Sequence, residues 1–256
     1  MSAERERQVT RAFVSLANSL VDRFDVVDLL DGLTADCARL LDVESAGLLL
    51  ADQHGTLHMV AASSERTRNL ELLQLQRDQG PCLDCYRGGA PVSVADLRTA
   101  TARWPRFVAA ATQAGFVSVH ALPMRLRDTV LGALGLFGTQ VGTLNEDDLS
   151  LGQALAHVAS VAIVQDKAAT DQMVINEQLK GALSSRVVLE QAKGFLAQRG
   201  DLEMDEAFGR LRTYARDHNL RLTDVARAVV AREIPAQRLL DHAATRASRP
   251  RRSKPS

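Results

Sequence analysis

The spacing of apolar positions changes several times along the chain. Phe13, Leu16, Ala17, Leu20, Val21 and Phe24 recur at three- and four-residue intervals and predict one face of a helix. Asp25 is placed to cap a second helix, whose apolar positions are Val26, Leu29, Leu30, Leu33, Cys37, Leu40 and Leu41. The pattern then shortens. "AGLLLAD" and "TLHMVAAS" flank the turn "QHG" and predict a β-hairpin. "ERTRNLELLQLQRD" returns to helical spacing, and "QGPCLDCYRGGAPVSVADL" reads as loop with a short strand from Val92 to Val94. A helix after Pro105 is expected to end at Gly115. "FVSVHALPMRL" and "TVLGALGLFGT" are two strands about the turn "RDT". From Asn145 to about Leu183 the pattern predicts one long helix, with Leu149, Gly152, Leu155, Ala156, Ala159 and Ile163 as a stripe. Ala169, Met173, Ile175 and Leu179 continue it less regularly. No strand signal follows.

Helices alternating with hairpins predict an α+β fold, an antiparallel sheet flanked by helices over residues 1–165. The remainder reads as a connecting helix over 166–183, a three-helix domain over 184–236 and a disordered basic tail over 237–256. The three helices are expected near Ser185–Arg199, Met204–His218 and Thr223–Arg232. The second buries Ala207, Phe208, Leu211, Tyr214 and Ala215, and the third Val225, Ala226, Val229 and Val230.

A length of 256 residues fits about two domains, and 46% hydrophobic with 24% charged residues is ordinary globular composition. No apolar run is long enough for a membrane span. The charged start "MSAERERQVT" lacks an apolar signal region, so a cytoplasmic location is expected. Three cysteines argue against a disulfide framework. The net charge of zero conceals an asymmetry. From Ser184 onward there are fifteen Lys and Arg against nine Asp and Glu; before it, sixteen against twenty-two. A basic end on an acidic body suits an anionic partner. Five of those basic residues, however, fall in "RASRPRRSKPS", which has the composition of a disordered tail. Placement of charge, rather than its sum, has to carry the argument.

Placement directs attention to "SRVVLEQAKGFLAQRG". Its apolar positions, Val188, Leu189, Ala192, Phe195 and Leu196, make one stripe, which leaves Lys193 off that stripe and pointing outward. Gly194 costs about 1 kcal/mol relative to Ala inside a helix. Either a neighbouring helix packs on it, the favoured account, or it leaves bare backbone for a phosphate. Arg212 and Arg216 are four residues apart on the second helix, and Arg221 opens the turn before the third. With Arg186 and Lys193 they form a candidate basic surface that would neutralise phosphates. Tyr214 is either an aromatic platform for a base or a core tyrosine.

These segments resemble known families. "QGPCLDCYRGGAPVSVADL", "RWPRF", "AGFVSVHALPMRL" and "LGALGLFG" resemble the GAF domains of actinobacterial sensor proteins. "LSSRVVLEQAKGFLAQRG" and "EAFGRLRTYARDHNLRLTDVARAVV" resemble the ANTAR domain, an RNA-binding antitermination module. The resemblance covers nearly all of residues 10–236. It implies a signal-responsive regulator whose ANTAR domain binds paired RNA stem-loops in nascent transcripts and stops a terminator from forming. It also places Lys193 at a signature position. Ala197 stands where the family usually has Met.

In the sensor half, Cys82 and Cys85 are a redox couple, half of a metal site, or small residues of an ordered loop closing a pocket, the last being favoured. The histidines show no ligand spacing, so no metal is expected. Trp104 and His120 line a sensor pocket or belong to core or surface. The cofactor and the signal, whether small-molecule or redox, are not specified by the sequence. The long helix suits pairing with its copy in a homodimer, which would couple signal to RNA spacing. Two alternatives remain: a GAF-type thiol reductase using Cys82 and Cys85, and DNA binding through the same helices. A kinase is excluded by the lack of a Gly-rich phosphate loop.

Overall fold

The computed structural model describes residues 3–19, 25–164 and 172–247. The chain divides into two compact units, Met1–Leu183 and Ser184–Ser256.

The first unit opens with helices α1 (Ala3–Ser19) and α2 (Val26–Leu40). Asp25 caps α2, its carboxylate accepting from the Val27 and Asp28 N–H groups at 3.0 and 3.4 Å. Strands β1 (Ser45–Ala51) and β2 (Leu57–Ala62) form the expected hairpin. The turn is closed by Asp52, whose Oδ1 accepts from the N–H groups of His54 and Thr56. Helix α3 (Glu65–Arg77) follows, capped by Ser64. Helix α4 (Pro81–Gly88), strand β3 (Val92–Val94), a 3₁₀ turn at Leu97–Ala100 and helix α5 (Pro105–Gln113) come next. Strands β4 (Ser118–Leu126) and β5 (Thr129–Gly138) and helix α6 (Glu146–Val164) complete the unit.

The five strands pair antiparallel in the order β2-β1-β5-β4-β3. Both faces of the sheet are covered, so β1 is buried along its whole length. On one face Leu48, Leu50, Leu122, Leu134 and Leu136 pack with Leu30, Leu33 and Cys37 of α2 and Leu155, Ala159 and Ile163 of α6. On the other, Leu49, Ala121 and Ala133 pack with Cys82 and Cys85 of α4. Phe137 and Val119 pack there with Trp104 and Phe107. The alternation follows the two-residue period of a strand.

One segment differs from expectation. The stretch after Gln79 is not mainly loop, because Pro81–Gly88 is helical. Pro81 at the first turn and the left-handed Gly89 at the end (φ 61°) delimit it, a proline-in, glycine-out pattern easily lost in so short a helix.

The second unit begins within helix α7 (Gln172–Gly200) and continues with α8 (Met204–Asp217), α9 (Leu222–Val230) and α10 (Ala236–Ala247). The first predicted helix is therefore the end of a much longer one. Residues 165–171 and the side chains of Ala169, Met173, Ile175 and Leu179 lie outside the described residues. Of the expected stripe, Leu155, Ala156, Ala159 and Ile163 are buried in the sheet's core rather than presented for pairing. The expected tail is corrected as well: α10 occupies its first part, with Leu239 fully buried. Ala236, Leu239 and Leu240 carry helical spacing directly after Pro235. Residues 248–256 lie outside the description.

Candidate functional site

The expected basic surface is only partly a surface. Arg186 and Lys193 are buried, 5% and 2% exposed. Both reach Glu190 on the same helix, Arg186 at 2.9 Å and Lys193 at 3.4 Å. The Lys193 ammonium also lies 5.7 Å from the centre of the Phe208 ring on α8, a cation–π contact. The outward placement of Lys193 is thus overturned. The buried stripe of α7 runs through Arg186, Leu189, Ala192, Lys193 and Leu196, while Val188 and Phe195 are only half-buried. The helix is thus rotated by roughly one residue from the stripe that includes Val188 and Phe195.

Gly194 answers differently from the favoured account. Among the described residues nothing lies within 4 Å of where its Cβ would be, and no helix packs on it there. It leaves open backbone. Tyr214 is buried, 3% exposed, and is a core residue rather than a stacking platform. It stacks on His218 with ring centres 4.0 Å apart and meets His242 edge-on at 5.4 Å. His242 bonds Asp217 at 3.1 Å, which ties α10 to α8.

Arg216 and Arg221 are exposed, as expected, and Arg212 is half-exposed. Arg216 has Asp217 at 3.6 Å, and Arg221 has Asp224 at 2.8 Å. Arg227 shares Asp224 at 3.3 Å. The chain beyond α9 contributes a feature the sequence did not reveal. Phe195 and Arg199 of α7, Arg232, and Ile234 to Gln237 line a cleft of about 260 Å³.

In the first unit, Cys82 and Cys85 are fully buried one turn apart on α4. Above β1 and β5 Cys82 joins a compact polar cluster. The Cys82 thiol donates to Glu71 Oε1 at 3.5 Å, and the Cys82 N–H donates to Gln74 Oε1 at 3.2 Å. The Gln74 amide donates to Glu71 Oε2. Gly47 and Gly135 face each other across β1 and β5 and make the floor. A Cβ on either would come within 2.7 Å of Glu71 Oε1, and one on Gly135 within 2.8 Å of Cys82 Sγ. Only glycine at both places admits the buried carboxyl. Burial pushes the Glu71 carboxyl up to about 8, so it is protonated and neutral. Burial also raises both thiols, Cys85 to about 12, and the neighbouring Glu71 raises Cys82 further. Both are protonated and shielded, the opposite of a reactive thiolate. Sequence reasoning singled out the cysteines but missed Glu71 and Gln74; the glycines at 47 and 135 were the available signal.

Trp104 is buried in the core of this face, its indole N–H donating to Asp84 at 3.1 Å. His120 is buried too, bonded to Ser93 at 3.0 Å and accepting from the Leu144 N–H at 3.4 Å. Burial lowers its pKa. It does line a cleft, of about 340 Å³, with Asp42, Glu44, Ser118 and the loop from Gly138 to Leu144. Trp104 is not in the lining of that cleft. Among the described residues no group of three or more His, Cys, Asp or Glu is arranged to hold a metal ion. Nor is any helix there long and apolar enough to cross a membrane.

The GAF domain family model matches residues 25–164, more than half of the chain. The chain belongs to the GAF domain family. The ANTAR domain model matches residues 177–230, so the two families occur in the order the sequence motifs gave. The GAF match covers the sheet and its helices from α2 to α6; the ANTAR match covers most of α7 with α8 and α9, and stops short of α10. No curated protein matches the chain. Several solved structures resemble the GAF half. The GAF domain of an Acinetobacter phosphoenolpyruvate-protein phosphotransferase is 16% identical, with TM-score 0.48 over 63% of this chain and 94% of that one. The phycoerythrobilin-bound GAF domain of a cyanobacterial phytochrome is 20% identical, with TM-score 0.47 over 64% and 97%. A free methionine-R-sulfoxide reductase from Neisseria meningitidis is 13% identical, with TM-score 0.46 over 72% and 95%.

Proposed function

We propose that the chain is an RNA-binding regulator that acts by transcription antitermination. The ANTAR domain takes paired stem-loops in nascent transcripts, and the GAF domain receives the signal. The match of the ANTAR model to residues 177–230 carries this reading. The exposed Arg216 and Arg221, the half-exposed Arg212 and the bare backbone at Gly194 are what it offers to RNA phosphates. Lys193 serves it from inside, by fixing α7 against α8 through Phe208, while Glu190 holds both Arg186 and Lys193 on α7.

The thiol reductase alternative is disfavoured, because Cys82 and Cys85 are buried and protonated beside a neutral carboxyl. The Cys82–Glu71–Gln74 cluster fills its own space, whereas the His120 cleft offers room for a small polar ligand. A homodimer is part of the proposal, formed through the connecting helix and setting two ANTAR units at the spacing of two RNA loops.

Single-round transcription through a terminator whose 5′ arm overlaps a second of two tandem hairpins tests the reading. Added protein is expected to raise read-through, and to lose that effect when the loops are replaced. Unchanged termination at saturating protein, with and without its GAF domain, would refute it.

A further inference from the structure

The arginines of the second unit differ in their partners. Arg186, Arg210, Arg216, Arg221 and Arg227 each stand beside a carboxylate. Arg199 and Arg232 do not: neither has an ion pair among the described residues, and both are exposed. An unpaired guanidinium retains its full charge for a ligand, whereas a paired one has to give up or share its carboxylate. The two meet at one place, the cleft of about 260 Å³ between the end of α7 and the start of α10. Arg238, also exposed and without an ion pair among the described residues, follows one residue beyond the lining.

The interior of that cleft has a different character. Phe195, Ile234, Pro235 and Ala236 line it with apolar surface. Phe195 is only half-buried, and the Arg199 guanidinium lies 5.7 Å from its ring centre. An aromatic ring with an arginine beside it is the pairing on which unstacked bases rest, and arginines at the mouth suit the phosphate of the same nucleotide. Arg232 holds a left-handed backbone conformation, φ 62°, at the end of α9, which turns the chain into the cleft wall.

We infer that this cleft takes one unstacked nucleotide of the bound RNA, its base against Phe195 and its phosphate between Arg199 and Arg232. The inference rests on the RNA-binding reading and deepens it: Arg232 to Gln237 lie beyond the ANTAR match, so the site draws on this chain's own extension into α10. The contact differs from the paired arginines because it reads a flipped base as well as a charge.

The test uses the full chain and a pool of tandem RNA hairpins with randomised loops, from which wild-type binders are selected. Arg199→Ala with Arg232→Ala is expected to weaken binding to the selected RNA by tenfold or more. It should also flatten the dependence of log affinity on log salt by about 0.7 for each single-stranded phosphate that the variant no longer neutralises. Phe195→Leu keeps apolar volume and charge; it is expected to weaken binding about tenfold with the salt slope unchanged. All these positions are partly or fully exposed, and unchanged thermal melting confirms folding. A wild type that selects RNA, with both variants matching it in affinity and salt slope, overturns the cleft while leaving RNA binding standing. A wild type that selects no RNA from the pool overturns both.

Discussion

Glu71 makes the GAF domain's stability a function of pH. Its carboxyl ionises near 4.5 in an open chain and near 8 in the folded one. The folded state therefore holds a proton that the unfolded state releases, and stability falls as pH rises from about 4.5 to about 8. At its steepest the fall is about 1.4 kcal/mol per pH unit. Glu71→Gln keeps an acceptor for Cys82 while removing the ionisation. Its unfolding free energy is expected to fall less steeply than wild type across that window, which denaturant melts at several pH values will measure; a slope equal to wild type would refute the assignment. Lys193 is a residue whose role changed with its burial. Lys193→Ala removes a charge-assisted bond to Glu190 and a cation–π contact with Phe208, and is expected to destabilise the ANTAR unit by on the order of 2 kcal/mol. A calorimetric melt unchanged in the variant would return Lys193 to the surface role its sequence position suggested.

At the level of elements, the sheet and most helices were legible, because apolar period and caps agree: Asp25 caps α2 and Asp52 closes the β1–β2 turn as local chemistry dictates. Four features were not. Helix α4 is too short for a period to emerge, although Pro81 and Gly89 bracket it. Helix α10 was hidden by the Arg- and Pro-rich composition that follows it, although Ala236, Leu239 and Leu240 already carry its face. The orientation of α7 was misjudged because its buried stripe includes two cations, and helical patterning counts charges as solvent-facing. The polar cluster was illegible for a related reason: Glu71 and Gln74 look like exposed helix residues until two facing glycines make room for them. Leu239 tests whether α10 belongs to the folded unit. Leu239→Ala is expected to cost about 2–4 kcal/mol, read by denaturant unfolding of the second unit. A loss below about 0.5 kcal/mol would mean that α10 frays from the rest.

In the whole molecule a GAF domain precedes an ANTAR domain, and the ANTAR match begins inside a helix that runs from Gln172 to Gly200. Under the proposed function, pairing of such helices in a dimer would set the distance between two ANTAR domains. Charge neutrality of the whole chain is no obstacle, since phosphates respond to unpaired arginines at short range and screening confines their field to about 10 Å at ordinary salt. The decisive measurement is the affinity of the purified full chain for a tandem two-hairpin RNA, set against a single hairpin and duplex DNA, over a range of salt. Tightest binding to the tandem RNA is expected, with a preference that survives as salt rises and a stoichiometry of two chains per RNA. Equal affinity for all three ligands, vanishing together as salt rises, would contradict the reading of this chain as an RNA-binding regulator.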